Sequence, residues 1–461
     1  MKLFFTLFFF SAILQKNFSL KWTPNSWKEK KVYQDVVYHK EYKLEQATNE
    51  LKKYAPLIFA GESLSLKEDL KKAARGESYV LMGGDCAETF REFSVQNIMN
   101  NYRILLQMTL ILMYNMSKPV VKIGRMAGQY AKPRSDLFET RHNLTLPSYR
   151  GDIINCELFD TQSRLPNPDL MLKAYSYSVQ TMNLIRALSE GGYADIQRIQ
   201  DWNLDFAKKD EVQYQKLSRE VMKSLAFLKS IGLENLSESK KARFYTAHES
   251  LLLPYEEALT RKDSITQKYF DCSAHMIWIG ERTRQLDGAH VEFARGLENP
   301  VGIKISENFD IHEIEVLIRT LNPDNELGKI VLITRMGNKI CDGLPRLVEM
   351  IKRRKLEVVW ISDPMHGNTV KLDCGLKTRY LECIKQEYEF FHSYLKSVGV
   401  NPGGIHLELT GRNVTECLYR NNDYKENLDL IQQNYETGCD PRLSADQCLD
   451  LAFFISSLEN K

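Results

Sequence analysis

Eight short, β-rich apolar runs alternate along this chain with longer segments of helical period, and that alternation restricts the fold more than any other feature. The runs are Tyr79–Met82, Val120–Ile123, Phe244–Thr246, Met276–Ile279, Val301–Ile305, Ile330–Ile333, Val358–Ile361 and Ile405–Leu407. They are β-branched or aromatic and uncharged apart from Lys122, Lys304 and His406. Strands of that kind belong in a parallel sheet covered on both faces. Eight of them with helix-length crossovers predict an α/β fold, a (β/α)8 barrel, with a doubly wound open sheet as the alternative. The interval from Arg125 to Phe244 is too long for one crossover. Helical periodicity over Leu170–Ser189 and Val212–Ser230 predicts an inserted helical pair within about residues 165–235, after the second strand.

The segment that follows each run is polar and glycine-rich: GGDCAE, GRMAGQYAKPRS, AHES, GERTRQ, SEN, TRMGN, SDPMHGN and ELTGRN in chain order. In a barrel all eight exits converge on one mouth, where barrel enzymes keep their chemistry. Two groups of residues would meet there. The first is cationic: Arg125, Lys132, Arg134, Arg282, Lys304 and Arg335. Guanidinium forks match phosphate and carboxylate oxygens, and Lys304 interrupts a strand that should be buried. The second is Cys86, His366, Glu408 and Asp440, a thiol, an imidazole and two carboxylates suited to a divalent first-row metal. No HxxxH or CxxC spacing marks such a site, so the alternatives stay open. Cys86 as a small buried residue and His366 as a structural hydrogen-bonder are two of them, and His248-Glu249 is a competing pair.

Composition narrows the partners. The 62 basic and 60 acidic residues leave a net charge of +2, so no global field draws the chain to nucleic acid or an anionic membrane. An anionic ligand has to be held by a local cluster. Hydrophobic residues at 43% and charged residues at 26% exclude disordered and disulfide-dense classes. Nine scattered cysteines read as reduced thiols. Residues 1–20 form a signal-like leader whose apolar run, Leu3–Leu14, is too short to span a bilayer comfortably. Residues 21–76 are expected to form an N-terminal arm and helix, with helical character over Leu44–Tyr54, and residues 77–461 the catalytic barrel.

Longer motifs go beyond any generic barrel. They include GGDCAE at 83–88, KIGRMAGQYAKPRS at 122–135, WIGERTRQLDGAHVEFARGLENPVGIKI at 278–305, LITRMGNKI at 332–340, WISDPMHGNT at 360–369, GGIHLELTGRNVTECL at 403–418 and CDPRLSADQ at 439–447. Together the chain resembles the type II (plant-type) 3-deoxy-D-arabino-heptulosonate 7-phosphate (DAHP) synthases from about Lys21 to its C-terminus. The leader lies outside the resemblance, and Tyr419–Leu430 departs from it. The resemblance implies condensation of phosphoenolpyruvate with erythrose 4-phosphate and water to DAHP and phosphate, the opening step of the shikimate pathway. It implies a divalent metal on Cys86, His366, Glu408 and Asp440, with manganese first and cobalt, iron or zinc as alternatives. It assigns phosphoenolpyruvate to Arg125, Glu281, Arg282, Lys304 and Arg335. The chemistry of the water-addition step points to Lys304 and Glu281 as proton carriers, with fixed places in the phosphate-binding network as the alternative. Erythrose 4-phosphate falls to Lys132, Pro133, Arg134 and Ser135. A homo-oligomer is expected, with no nucleic acid and no stable membrane association after leader removal. The leader suggests a plastid, with the cytoplasm as the alternative. Rival readings are another phosphoenolpyruvate-condensing 3-deoxy sugar acid synthase and a non-catalytic ligand-binding barrel.

Overall fold

A computed structural model describes residues 21–141, 143–191, 211–230, 243–420 and 424–459. The leader, residues 1–20, lies outside the described residues, as do parts of the interval between residues 165 and 235. Eight parallel strands close into a barrel: β1 Tyr79–Gly84, β2 Val120–Arg125, β3 Phe244–Glu249, β4 Met276–Ile279, β5 Val301–Ile305, β6 Ile330–Thr334, β7 Val359–Ser362 and β8 Gly404–Glu408. Each strand pairs with the next in sequence, and β8 returns to β1. Several strands run one to three residues further than their apolar runs. Polar residues at their ends, such as Arg125, Glu249 and Glu408, stay in the ladder while their side chains turn into the mouth.

Side-chain alternation explains what the barrel does with its residues. Val80 and Met82, Val121 and Ile123, Tyr245 and Ala247, Met276 and Trp278, Val331 and Ile333, and Val359 and Ile361 form one buried interior cluster. Their neighbours, among them Leu81, Ile303, Leu332 and Leu407, face the surrounding helices in a separate cluster. With a period of two, continuing each interior row carries it to a residue at the strand's C-terminal end. That places Arg125, Glu249, Lys304, Arg335, Asp363, His406 and Glu408 on the inner face. By the same parity Lys122 turns outward, where its ammonium donates to the Val120 carbonyl (3.3 Å) and burial lowers its pKa to about 8.

The opposite end of the barrel is closed. Leu66, Leu70 and Ala73 on one face of the helix Ala60–Ala74 join the interior cluster. Lys67 of this helix pairs with Glu298 and, at 3.0 Å, with Glu326. The preceding arm wraps the outside, with Trp27 buried against Leu253, Ile277 and Phe293. The helix Glu41–Leu51 packs in a further cluster with Met171, Ala174 and Tyr255. Between β2 and β3 the chain forms a two-stranded ribbon, Phe138–Arg141 with Leu144–Pro147, and the helices Asp169–Glu190 and Glu211–Ser230. Among the described residues no helix is long and apolar enough to cross a membrane.

Candidate active site

The strand exits surround a cavity of about 610 Å³ at the C-terminal mouth. Cys86, Arg125, Lys132, Pro133, Arg134, Ser135, Glu281, Arg282, Lys304, Arg335, His366, Glu408 and Asp440 all line it. Residues more than 300 positions apart along the chain therefore share one pocket. His248 and Glu249, the competing pair, are split by strand alternation. His248 turns outward to Glu256 (3.0 Å) and Ser273 (3.3 Å), while Glu249 faces the cavity. They do not act as one pair.

One wall is rich in donors for a metal. Ligand atoms of Cys86, Glu408 and Asp440 all lie within 4.8 Å of one another. Two ligands held about 2.0–2.3 Å from one ion stand roughly 3–4.6 Å apart, so the three are near the spacing that a single first-row cation would draw them to. His366 sits beside this group, its Nε2 3.1 Å from Glu408 Oε1. Its Nδ1 meets Asp363 Oδ2 at 2.7 Å, and such a carboxylate fixes the ring and leaves Nε2 as the nitrogen turned towards the Glu408 side. A positive charge already stands among the donors, because Lys132 Nζ lies 2.7 Å from both Cys86 Sγ and Asp440 Oδ2. Burial opposes ionisation of Asp440, yet Lys132 and Arg379 hold its carboxyl well below the usual range. Glu408 is likewise buried and kept ionised by His366 and Arg379, with Arg379 at 2.7 Å. Burial pushes the Cys86 thiol up, and the neighbouring Cys439 thiol adds to that shift. A bound cation would reverse it, since a coordinating thiol is deprotonated outright.

The barrel interior supplies the cationic floor. Register sets Gly84 opposite both Arg125 and Glu408. Gly84 has φ +148°, and a Cβ there would fall 2.6 Å from the Arg125 carbonyl oxygen. Glycine lets the two neighbours close on each other, with Arg125 NH2 donating to Glu408 Oε1 at 3.2 Å. Arg125 also lies over the Trp278 ring, 5.1 Å from its centroid, and meets His406 Nε2 at 2.7 Å. Lys304 touches the other side of the same imidazole, Nδ1 at 2.7 Å, and pairs with Asp363. Burial lowers the Lys304 ammonium to about 8, against the pull of Asp363. Arg282 donates to the Ser135 hydroxyl (2.7 Å), which ties the exit of β4 to the loop after β2. Arg335 donates to the His366 carbonyl (3.2 Å), and its buried Nε has no partner among the described residues. Glu281 accepts from Arg284 (2.6 Å) and from the Ser306 amide (2.7 Å). That carboxylate is therefore already fixed between two exits.

The arrangement can hold a multiply charged anion over a cationic floor next to a group of metal donors. A family model described as the class-II DAHP synthetase family matches residues 22–456. The chain belongs to that family. Phospho-2-dehydro-3-deoxyheptonate aldolase of Streptomyces coelicolor is 44% identical over 437 residues, covering 94% of this chain and 96% of that protein. The enzyme of the same name from Neurospora crassa is 40% identical over 454 residues, with 94% of each chain covered. The crystal structure of a phospho-2-dehydro-3-deoxyheptonate aldolase from Thermotoga maritima covers 77% of this chain and 67% of its own. It shares 14% identity with a TM-score of 0.31, too slight a likeness to carry weight.

In this class-II DAHP synthetase family member, several cavity groups escaped sequence reasoning. Glu249 was named only as half of a pair with His248, and it stands alone in the cavity as a buried carboxyl lifted by desolvation against the pull of Lys304 and Arg125, with no partner at Oε1 among the described residues. Trp278, Gln129, Lys371 and Lys377 also line the pocket, and Arg379 supports it from behind. His406 and Glu408 stand two apart in one strand, a spacing that signals a shared inner face. Lys377 and Arg379 carry no such signal, because the first lies in, and the second directly follows, the ribbon Val370–Lys371 with Lys377–Thr378, whose path depends on the tertiary fold.

Proposed function

We propose that this cavity condenses phosphoenolpyruvate with erythrose 4-phosphate and water, giving DAHP and inorganic phosphate, the first step towards aromatic amino acids. The observation that carries the reading is the convergence of Arg125, Lys132, Arg134, Arg282, Lys304 and Arg335 on one pocket beside Cys86, His366, Glu408 and Asp440. Phosphoenolpyruvate brings about three negative charges and the sugar phosphate about two. A cluster of that size is what two mutually repelling anions require in order to meet.

Arg125, Arg282, Lys304 and Arg335 are assigned to phosphoenolpyruvate together with Glu281, and Lys132, Pro133, Arg134 and Ser135 to the sugar phosphate. Carbon 3 of phosphoenolpyruvate attacks the aldehyde carbon, whose oxygen takes a proton as the new C–C bond forms. Water adds to carbon 2, gives up a proton, and phosphate leaves as its C–O bond to carbon 2 breaks. Lys304 and Glu281 are the proposed proton carriers at that stage. Lys304 is buried against His406 and Asp363, and a pKa near 8 suits it to exchange a proton near neutral pH. Cys86, His366, Glu408 and Asp440 would hold a divalent metal, which supplies Lewis-acid polarisation of the aldehyde oxygen. Two carboxylates favour manganese in a set that also suits iron, cobalt or zinc.

Phosphate release that depends on both substrates tests the reading, run with a panel of aldose phosphates. Preference for another aldose would make the chain a different 3-deoxy sugar acid synthase, and ligand binding without turnover would make it a binding barrel. Metal analysis of the purified protein reads the ion. A homo-oligomer and plastid targeting by residues 1–20 complete the proposal, tested by light scattering and by a reporter fused to residues 1–60.

A further inference from the structure

Glu387 is a buried carboxylate outside the cavity, on the helix Leu381–Ser397 behind the exits of β6 and β7. Its Oε1 accepts from the Met336 amide at 2.8 Å, and the Gly337 amide also donates to its carboxylate. Oε2 accepts from Asn368 Nδ2 at 2.7 Å. Met336 and Gly337 directly follow Arg335, and Asn368 stands two residues after His366. One side chain thus grips two loops, the first carrying a guanidinium of the cationic floor and the second the metal-side imidazole.

The loops have no slack between them. Gly337 (φ +59°) and Gly367 meet backbone to backbone. A Cβ on Gly367 would fall 2.3 Å from the Gly337 nitrogen, and one on Gly337 2.6 Å from the Gly367 oxygen. Arg335 adds its own bond to the His366 carbonyl. Each exit opens with a single 3-10 turn, Gly337–Lys339 and His366–Asn368, and the two turns lie side by side. Lys339 of the first turn pairs with Glu307 at 3.2 Å, and Arg335 lines the cavity. The carboxylate is instead solvated by the amides it binds, although burial lifts its pKa to about 8.

We propose that Glu387 is a positioning residue that locks the Arg335 loop to the His366 loop, so that phosphoenolpyruvate and metal are held in one fixed relation. The inference rests on the roles given above to Arg335 and His366. It makes the two sites fail together when a residue that touches neither ligand is removed, while the sugar-phosphate loop after β2 is untouched.

The test compares Glu387→Ala, Glu387→Gln and Asn368→Ala in the full-length enzyme. The readouts are KM for each substrate and Mn2+ affinity, measured by calorimetry on chelator-stripped protein. Glu387→Ala is expected to raise KM for phosphoenolpyruvate and the Mn2+ Kd each by about tenfold or more, since misplacement of a binding group by about 1 Å can cost up to about a hundredfold. KM for erythrose 4-phosphate should hold within about twofold on the same argument. Glu387→Gln keeps an acceptor for the Met336 amide but turns its own NH2 towards Asn368 Nδ2, so it should fall between Glu387→Ala and the unaltered enzyme. If Glu387→Ala does not fold, Asn368→Ala releases only the β7 arm and should still weaken Mn2+. Tyr388→Phe, on the same helix as Glu387, removes a buried hydroxyl pair with Tyr79 of β1 and controls for stability alone. A folded Glu387→Ala with both affinities unchanged overturns the proposal, as does an equal rise for both substrates or the same pattern in Tyr388→Phe. Arg335→Ala separates the premises. No effect of that variant on phosphoenolpyruvate would sink the substrate assignment, and the Mn2+ titration would then decide the clasp by itself.

Discussion

The side chain of Gln34 grips the backbone of Arg134 at both ends, Nε2 donating to its carbonyl at 3.0 Å and Oε1 accepting from its amide at 2.9 Å. An N-terminal arm residue thereby holds the loop proposed to receive the sugar phosphate. Gln34 is fixed in turn by Arg150, whose guanidinium donates to the Gln34 and Asp35 carbonyls. Gln34→Ala should raise KM for erythrose 4-phosphate several-fold and leave that for phosphoenolpyruvate unchanged. Gln34→Glu keeps the acceptor but loses the donor, so it should fall between. Steady-state kinetics with each substrate varied checks both.

The barrel was legible because burial on both faces leaves a plain trace, uncharged runs such as Met276–Ile279 and Ile330–Ile333. The site was legible through the same alternation, since a lysine inside one strand and an arginine just after another have few places to go but the mouth. Tertiary contacts hid the rest. Nothing local marks Gln34 as a partner of Arg134, because the two are 100 residues apart. Glu387 reads as an ordinary charged position on an amphipathic helix, and Glu249 read as half of a pair with His248 until the strand turned them to opposite faces. Lys132, read as a sugar-phosphate ligand, also contacts Cys86 and Asp440, a role its sequence position does not show.

The two ends of the cationic cluster should separate by substrate. Arg335 projects from β6 beside Lys304, whereas Arg134 lies on the loop after β2 and pairs with Glu139 at 2.9 Å. Arg335→Ala should raise KM for phosphoenolpyruvate by about tenfold to a hundredfold, the usual cost of losing a charge-assisted bond of roughly 1.5–3 kcal/mol, with a small effect on the sugar phosphate. Arg134→Ala should show the opposite bias. Equal losses for both substrates in either variant would contradict the assignment.

Loss of one donor should remove metal and activity without unfolding the barrel. Cys86 and His366 follow strands whose own apolar faces are packed independently of them. Cys86→Ala and His366→Ala should keep the circular-dichroism spectrum, while metal content and turnover fall together. Full-rate condensation by chelator-stripped protein would refute the metal role. Cys439 adjoins Cys86, and this contact holds the Cys439 thiol down to about 7 while Lys132 favours its thiolate. Thiol titration should accordingly find both sulfurs protected when Mn2+ is added and reactive after chelation.

Lys304 sets the sign of the alkaline limb. Its ordinary pKa of 10.5 is lowered to about 8, chiefly by burial, with Asp363 pulling the other way. Because kcat/KM reports the free enzyme and free substrate, its value for phosphoenolpyruvate should be level between about pH 7 and 8 and fall above it, as the ammonium that would meet the anion is lost. The substrate does not cause this fall, since its phosphate, with a second pKa of about 6, is fully ionised by then. Unfolding does not cause it either. Between about pH 8 and 10.5 the folded chain holds fewer protons at Lys304 than the unfolded chain, so this group's contribution to stability grows with pH across that window and is lost as pH falls through 8. Activity and stability should move in opposite directions, and thermal melts beside the rate profile separate them. Lys304→Arg keeps its charge at every pH tested, so whatever activity remains should lack the alkaline limb. A limb that survives in Lys304→Arg would assign the titration to another group.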